Sequence, residues 1–234
     1  MRLKFIAACA AVFCSFMPAM AEAPDFSEAR FEERDGFFTL QVDTEGNKIY
    51  AQLPEAGEDG VVLRMIHTAG LTGGLGSNPV GLDRGWWRDG EIMAFRRIGD
   101  RLILEIENLN YRASADNPLE ARAVRESFAT SFIASMEILS DEDGLVVDMT
   151  DFLTADTLGL VQYLADAGQG RFTVAGDRSL VDTANTFAFP DNIEIDAYLT
   201  LRSADPGREV STTAANGTDV TLIQHHSFVR LPEE

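Results

Sequence analysis

The sequence predicts an α+β fold weighted toward β, a largely antiparallel sheet or sheets built from hairpins, with one or two short helices. Three observations point there. Apolar and polar residues alternate in short runs, the period of a half-buried strand. Most of these runs are joined by brief Gly- and Asp-containing turns, which connect antiparallel neighbours but not parallel ones. Only one segment, beginning at Asn117, carries a full helix-start signal.

Taken in order, residues 36–42 and 47–53 read as two strands of a hairpin across Asp43-Thr44-Glu45-Gly46. Residues 61–68 form a further strand. Residues 91–98 and 101–107 flank Gly99-Asp100, a two-residue connection suited to a tight turn. In the second of these, Leu102, Leu104 and Ile106 make an apolar face. Asn117 is placed to cap a helix, Pro118 fits its first turn and Glu120 takes the capping-box position. Leu119, Ala123, Val124 and Phe128 then recur near helical spacing. Residues 132–139 and 145–149 read as a hairpin across Ser140-Asp141-Glu142-Asp143-Gly144. A weaker helix spans 157–167 and stops at Gly168. Residues 193–202 and 218–230 are the last long strands, separated by a polar loop over 204–217.

Residues 1–21 have the pattern of an export signal: Arg2 and Lys4, an apolar core over 5–17, and Ala19-Met20-Ala21 before the expected cut after Ala21. The apolar stretch is shorter than the ~20 residues a membrane span requires, so no membrane insertion is expected after cleavage. A periplasmic or secreted location follows. Residues 22–35 are expected to be a mobile N-terminal segment, and 36–234 a single β-rich domain. Both cysteines, Cys9 and Cys14, fall in the leader, which leaves the mature chain without disulfides or thiolate metal sites.

The formal net charge is −19, and it becomes more negative when Arg2 and Lys4 leave with the leader. A nucleic-acid binder needs a basic face, and so does a protein held on anionic lipid. Both classes are disfavoured.

The candidate site residues are few. Residues 70–90 form a long Gly-rich loop holding Asp83, Arg84, Trp86 and Trp87. Long irregular loops are often functional, yet this one lacks a phosphate-loop lysine and a Gly-x-Ser-x-Gly nucleophile turn. An Asp83–Arg84 contact pinning the loop, with one tryptophan packed beneath it, accounts for it structurally. Tandem tryptophans also suit a contact surface for a neighbouring domain. His225 and His226 are adjacent on a strand, so their rings point to opposite faces and cannot easily share a metal. His67 could join one of them through folding, but three histidines without carboxylate spacing make a poor zinc site. Asp148, Asp151 and Asp156 follow a strand end, where turn formation and helix capping explain them. The 141–144 turn lacks the twelve-residue calcium-loop pattern. No nucleophile–base pair, carboxylate dyad or cofactor loop stands out.

Several blocks occurring in order carry a resemblance. They are Asp35-Gly36-Phe37-Phe38, Gly76-Ser77-Asn78 with Gly81-Leu82-Asp83-Arg84-Gly85, and Asn110-Tyr111-Arg112-Ala113 with Asp116-Asn117-Pro118. Val147-Asp148-Met149-Thr150-Asp151-Phe152-Leu153 follows, then Gln224-His225-His226-Ser227-Phe228-Val229-Arg230-Leu231-Pro232. Together they resemble the uncharacterised, non-catalytic N-terminal region of large secreted bacterial zinc-dependent metalloproteases. In that family the chemistry belongs to a downstream His-Glu-x-x-His helix, and no such motif occurs in this sequence. The resemblance implies no catalytic residue, cofactor or metal ligand in this chain, with zinc expected only in the missing catalytic domain. It implies a truncated or split form that packs against that domain, in cis or as a separately encoded half. A free-standing periplasmic binding module is the alternative, and a hydrolase in its own right the third reading. Asp83, Arg84, Trp86, Trp87, His225 and His226 are the candidate interface residues.

Overall fold

A computed structural model describes residues 24–111 and 117–232. The expected leader over 1–21 lies outside the described residues, as do residues 112–116 within the Tyr111 block and the last two residues.

Twelve strands occur among the described residues: β1 (Phe31–Arg34), β2 (Thr39–Asp43), β3 (Lys48–Leu53), β4 (Val61–Gly73), β5 (Glu91–Ile98), β6 (Arg101–Ile106), β7 (Ser131–Ser140), β8 (Leu145–Asp148), β9 (Thr173–Val174), β10 (Leu180–Phe189), β11 (Asn192–Arg202) and β12 (Asp219–Arg230). They form one sheet in the order β1-β2-β3-β8-β7-β6-β5-β4-β12-β11-β10, with β9 added beside β11. All the pairings are antiparallel.

The α+β expectation is corrected by this architecture. The helices α1 (Pro118–Ser127), α2 (Thr150–Leu153), α3 (Leu160–Asp166) and α4 (Arg208–Thr213) have ten, four, seven and six residues. They are connectors set along a curled sheet and do not build a layer of their own, so the fold is mainly β. No helix among the described residues is long and apolar enough to cross a membrane.

The sheet curls until its two ends meet. Phe37 N–H donates to Phe189 O (2.7 Å), and the Asn47 side chain exchanges hydrogen bonds of 2.8 and 3.0 Å with the backbone of Val181. Arg34 on edge strand β1 donates to the carbonyls of Thr183 and Thr186 on the opposite edge strand β10. These carbonyls belong to a bulge between Asp182 and Thr186. Edge groups that would otherwise invite another strand are thereby occupied. The segment 22–35 thus holds β1 in its described part.

Curling encloses two apolar cores. The larger contains Leu40, Ile49, Met65, Phe95, Leu104, Val147 and Phe228. The second lies toward the other end of the long strands. There Leu71, Leu199, Leu201 and Leu222 are covered by Leu75 and Leu82 from the 74–90 loop, Leu160 and Leu164 of α3, and Val210 of α4. Fully burying one such side chain contributes about 1.5–3 kcal/mol.

Candidate functional site

Strand alternation places Val220, Leu222, Gln224, His226 and Phe228 on the inner face of β12. Leu222 belongs to one core and Phe228 to the other. Gln224 and His226 stand between them, both completely buried. On neighbouring β4, Met65 and Leu71 likewise belong to different cores, with His67 between. Three polar side chains therefore occupy the waist between two apolar compartments.

Each has a partner, as buried polar groups require. Gln224 Nε2 donates to Leu153 O and Ala155 O, both at 2.7 Å, and the His226 Nε2 contact to Leu153 O is 3.1 Å. His67 Nε2 lies 3.2 Å from His226 Nδ1. A carbonyl only accepts, so His226 carries its proton on Nε2. Burial holds its pKa well below the ordinary imidazole value. The neutral ring then has a lone pair on Nδ1, and His67 must donate to it from Nε2. His67 is itself depressed to about 4, by burial first and by the charge of Arg88 second. Phe152 and Phe228 pack around both rings, with centroids 4.9–6.3 Å away. The pair is a neutral relay that fastens the C-terminal end of α2 to the sheet.

The outer face of β12 is different. His225 lies 2.6 Å by Nδ1 from Asp196 and 2.6 Å by Nε2 from Glu194. Burial pulls this imidazole down, but the two carboxylates outweigh it, and its pKa rises to about 9. At neutral pH it is an imidazolium using both N–H groups. Burial pushes Glu194 up, while hydrogen bonds from His225, Ser227 and Asn192 hold it below the usual carboxylate range. Ser227 Oγ donates to Glu194 (2.8 Å), not to the histidine, so no serine–histidine nucleophile is assembled.

Trp87 completes this face, 47% exposed, with its ring centroid 5.5 Å from that of His225. It lies against Gly70, where an added Cβ would fall 2.4 Å from the indole Cδ2. Glycine is required there by close approach. The strip around Trp87 is bonded to β4: Leu71 N–H to Trp86 O (2.8 Å), Gly85 N–H to Leu71 O (2.7 Å) and Arg88 N–H to Ala69 O (3.0 Å). The expected irregular segment 70–90 is thus shorter, since β4 runs on to Gly73 and 85–88 lies beside it.

Of the candidate interface residues, Trp87 and His225 meet on one face. His226 is on the other, sealed in the waist. Trp86 packs against Tyr163 over the second core, with centroids 5.8 Å apart. No ion pair joins Asp83 to Arg84 among the described residues, and Asp83 Oδ1 is buried without a hydrogen-bond partner. The proposed Asp83–Arg84 pin is therefore replaced by backbone bonds, Leu75 N–H to Leu82 O (2.7 Å) and Trp86 N–H to Asp83 O (3.0 Å). Asp156 caps α3 through Leu160 and Val161 N–H, and Asp148 pairs with Lys48 at 2.7 Å. Among the described residues no group of three or more His, Cys, Asp or Glu side chains could hold a metal ion.

Sequence reasoning missed Gln224, Phe152, Glu194 and Asp196. The signal for the last two was present in the alternation Ile193-Glu194-Ile195-Asp196-Ala197, which aims two acids at one face of β11. Nothing local marks Gln224, whose partners are carbonyls about seventy residues earlier in the chain.

Residues 88–234 match a family model described as a domain of unknown function, DUF5117. No curated protein and no solved structure matches the chain. The matched stretch holds β5 to β12, the Trp87–His225 face apart from Trp87 and Gly70, and the waist apart from His67. Since it covers more than half of the sequence, the chain belongs to the DUF5117 family.

Proposed function

We propose that this chain is an exported, non-catalytic domain that docks onto a zinc-dependent metallopeptidase unit carried in cis or encoded separately. One observation carries the non-catalytic part: every histidine is committed to the fold. His225 spends both nitrogens on carboxylates, while His67 and His226 are neutral, buried and bonded to each other. A general base needs a free nitrogen within reach of substrate, and neither cluster offers one with a suitable pKa. The docking part is supported by the ordered sequence blocks that resemble the region preceding the protease catalytic domain. It also draws on the exposed Trp87 beside His225, since aromatic side chains are enriched at interfaces.

The test is reconstitution. The mature chain and a catalytic unit bearing His-Glu-x-x-His from the same genome are co-expressed, and a stable complex is expected on size exclusion. The isolated chain is expected to cleave no peptide. Cleavage by contaminant-free chain that a chelator abolishes would overturn the reading, as would failure of the two parts to associate.

A further inference from the structure

One ring nitrogen of the waist meets a cavity and no partner. His67 is 6% exposed, and its Nε2–H is donated to His226. Its Nδ1 keeps a lone pair, and no donor reaches it among the described residues. Nor is it sealed in, since the buried side-chain atoms without a partner among those residues are Arg30 Nε and Asp83 Oδ1. The lone pair therefore opens onto the cavity of about 190 Å³ that His67 lines.

Burial divides the lining in two. Met93, Phe152 and Leu158 are buried and make apolar walls, while Arg88, Asp89 and Glu91 are exposed and make the rim. None of the three rim charges forms an ion pair among the described residues, and Arg88 reaches the Thr157 carbonyl at 3.4 Å. Two carboxylates against one guanidinium leave the rim acidic, and the net charge of −19 adds to its attraction for cations. At depth the balance differs. A water needs two to four polar partners, and the buried walls offer one acceptor. An ammonium there would lose its hydration to apolar surroundings and would meet the field of Arg88, which already acts on His67. A neutral donor on an apolar ring meets neither objection. A cavity of roughly 150 Å³ takes benzene, so one of about 190 Å³ takes a single ring with its hydroxyl.

We propose that this cavity binds a small phenol carrying a cationic amine. The ring lies between Met93, Phe152 and Leu158, the hydroxyl donates to His67 Nδ1, and the amine sits beside Asp89 and Glu91. Apolar walls supply the affinity and the single buried acceptor orients the ligand. A groove of about 520 Å³ adjoins the cavity, sharing Arg88, Ile133, Phe152 and Thr157 with it, and leaves room for the amine arm. The site needs no catalytic unit, so it stands or falls apart from the docking reading.

The mature chain, with its histidine rings labelled with nitrogen-15, is titrated with tyramine, phenethylamine and 4-methoxyphenethylamine. The last two lack the hydroxyl hydrogen. Tyramine is expected to bind with a Kd of about 1 mM or tighter. It should bind about tenfold or more tightly than either analogue, because a site built around a hydrogen bond rejects ligands that cannot make it. The His67 Nδ1 resonance is expected to move on saturation with tyramine. Asp89→Asn combined with Glu91→Gln, both exposed positions, is expected to weaken tyramine about tenfold and to leave phenol binding unchanged. No saturable binding of tyramine in the millimolar range, equal affinity for phenethylamine, or an unmoved His67 Nδ1 resonance would each overturn the site. Undiminished tyramine affinity in the double variant would overturn the placement of the amine. N-acetyltyrosinamide, which carries no cation, is expected to bind more weakly than tyramine, and tighter binding would overturn the free amine in favour of a polypeptide tyrosine.

Discussion

His67 donates from Nε2 to Nδ1 of His226 across 3.2 Å, and His226 passes the polarity on to the carbonyl of Leu153. Neither ring can be replaced without stranding the other. His226→Ala leaves the Leu153 carbonyl with one fewer donor, leaves the His67 N–H with no acceptor and opens a cavity between the two cores. Unpaired buried polar groups cost about 1–3 kcal/mol each, and an emptied aromatic-sized site costs about as much again. A loss of about 3–5 kcal/mol is expected in urea unfolding. Gln224→Ala, which removes a smaller side chain but two hydrogen bonds to the same segment, is expected to cost about 2–3 kcal/mol. A loss below 1 kcal/mol in either variant would contradict the role given to the waist.

The same pair makes the fold sensitive to acid. His67 is neutral in the folded chain down to about pH 4, whereas an unfolded imidazole protonates near 6.5. Between these values the unfolded chain binds more protons, so stability falls as pH is lowered from 6.5 toward 4. The depressed pKa of His226 acts in the same direction. Urea midpoints measured from pH 7 to pH 4 are expected to decline, with imidazole proton uptake appearing only on unfolding. An imidazole resonance titrating near 6.5 in the folded protein would count against the buried relay.

His225 works with the opposite sign. Its folded pKa of about 9 lies above the unfolded value, so its contribution is whole below about 6.5 and disappears as pH rises through 9. Deprotonation also leaves Glu194 and Asp196 facing each other without the cation between them. His225→Gln is expected to lower stability at pH 6 and to flatten the decline between pH 7 and pH 9.5. The two tryptophans offer a second readout, because a cationic imidazole beside Trp87 quenches its emission. Emission should rise as the folded protein is titrated through pH 9, and this rise should be absent from Trp87→Phe.

How much of this was readable in the residues differs by element. The Gly99-Asp100 hairpin and the Asn117 cap are local events, and they appear where turn and capping chemistry put them, with Leu119 N–H on Asn117 Oδ1 at 3.0 Å. β10 was not legible, because the bulge between Asp182 and Thr186 breaks its alternation and its exposed Leu180 and Phe187 blur the two faces. β1 has no local mark, because Glu32 and Glu33 hide a strand that β2 alone supports. β4 runs beyond residue 68 because β12 pairs with it through residues 69–73, a long-range event. The opposite facing of His225 and His226 followed from period two. The meeting of His226 with His67 came only from pairing strands 159 residues apart.

Gly70 fixes where Trp87 lies. A Cβ at this position would meet indole atoms at 2.4 and 2.6 Å, and the Trp86 carbonyl at 2.7 Å. Gly70→Ala therefore drives Trp87 off β4 and away from His225 while leaving the waist on the opposite face untouched. The expected outcome is a folded protein that has lost the pH 9 step in its tryptophan emission, with the acid decline between pH 6.5 and pH 4 retained. An unchanged emission titration in this variant would place Trp87 elsewhere.

The matched family region begins at residue 88, yet the sheet does not divide there. β4 lies between β5 and β12, pairing with β5 from Val61 to His67 and with β12 from Met65 to Gly73. Removing it exposes two inner edges and the apolar faces of both cores, and deletes His67 from the waist. β3 is lost as well, leaving β8 without the partner it holds from Tyr50 to Leu53. Open edges of this length pair with other chains. A chain of residues 88–234 expressed alone is therefore expected to aggregate or remain unfolded, whereas residues 24–234 fold. Circular dichroism and size exclusion separate the outcomes, and a monomeric 88–234 fragment with cooperative unfolding would show that the folding unit is smaller than the curled sheet implies.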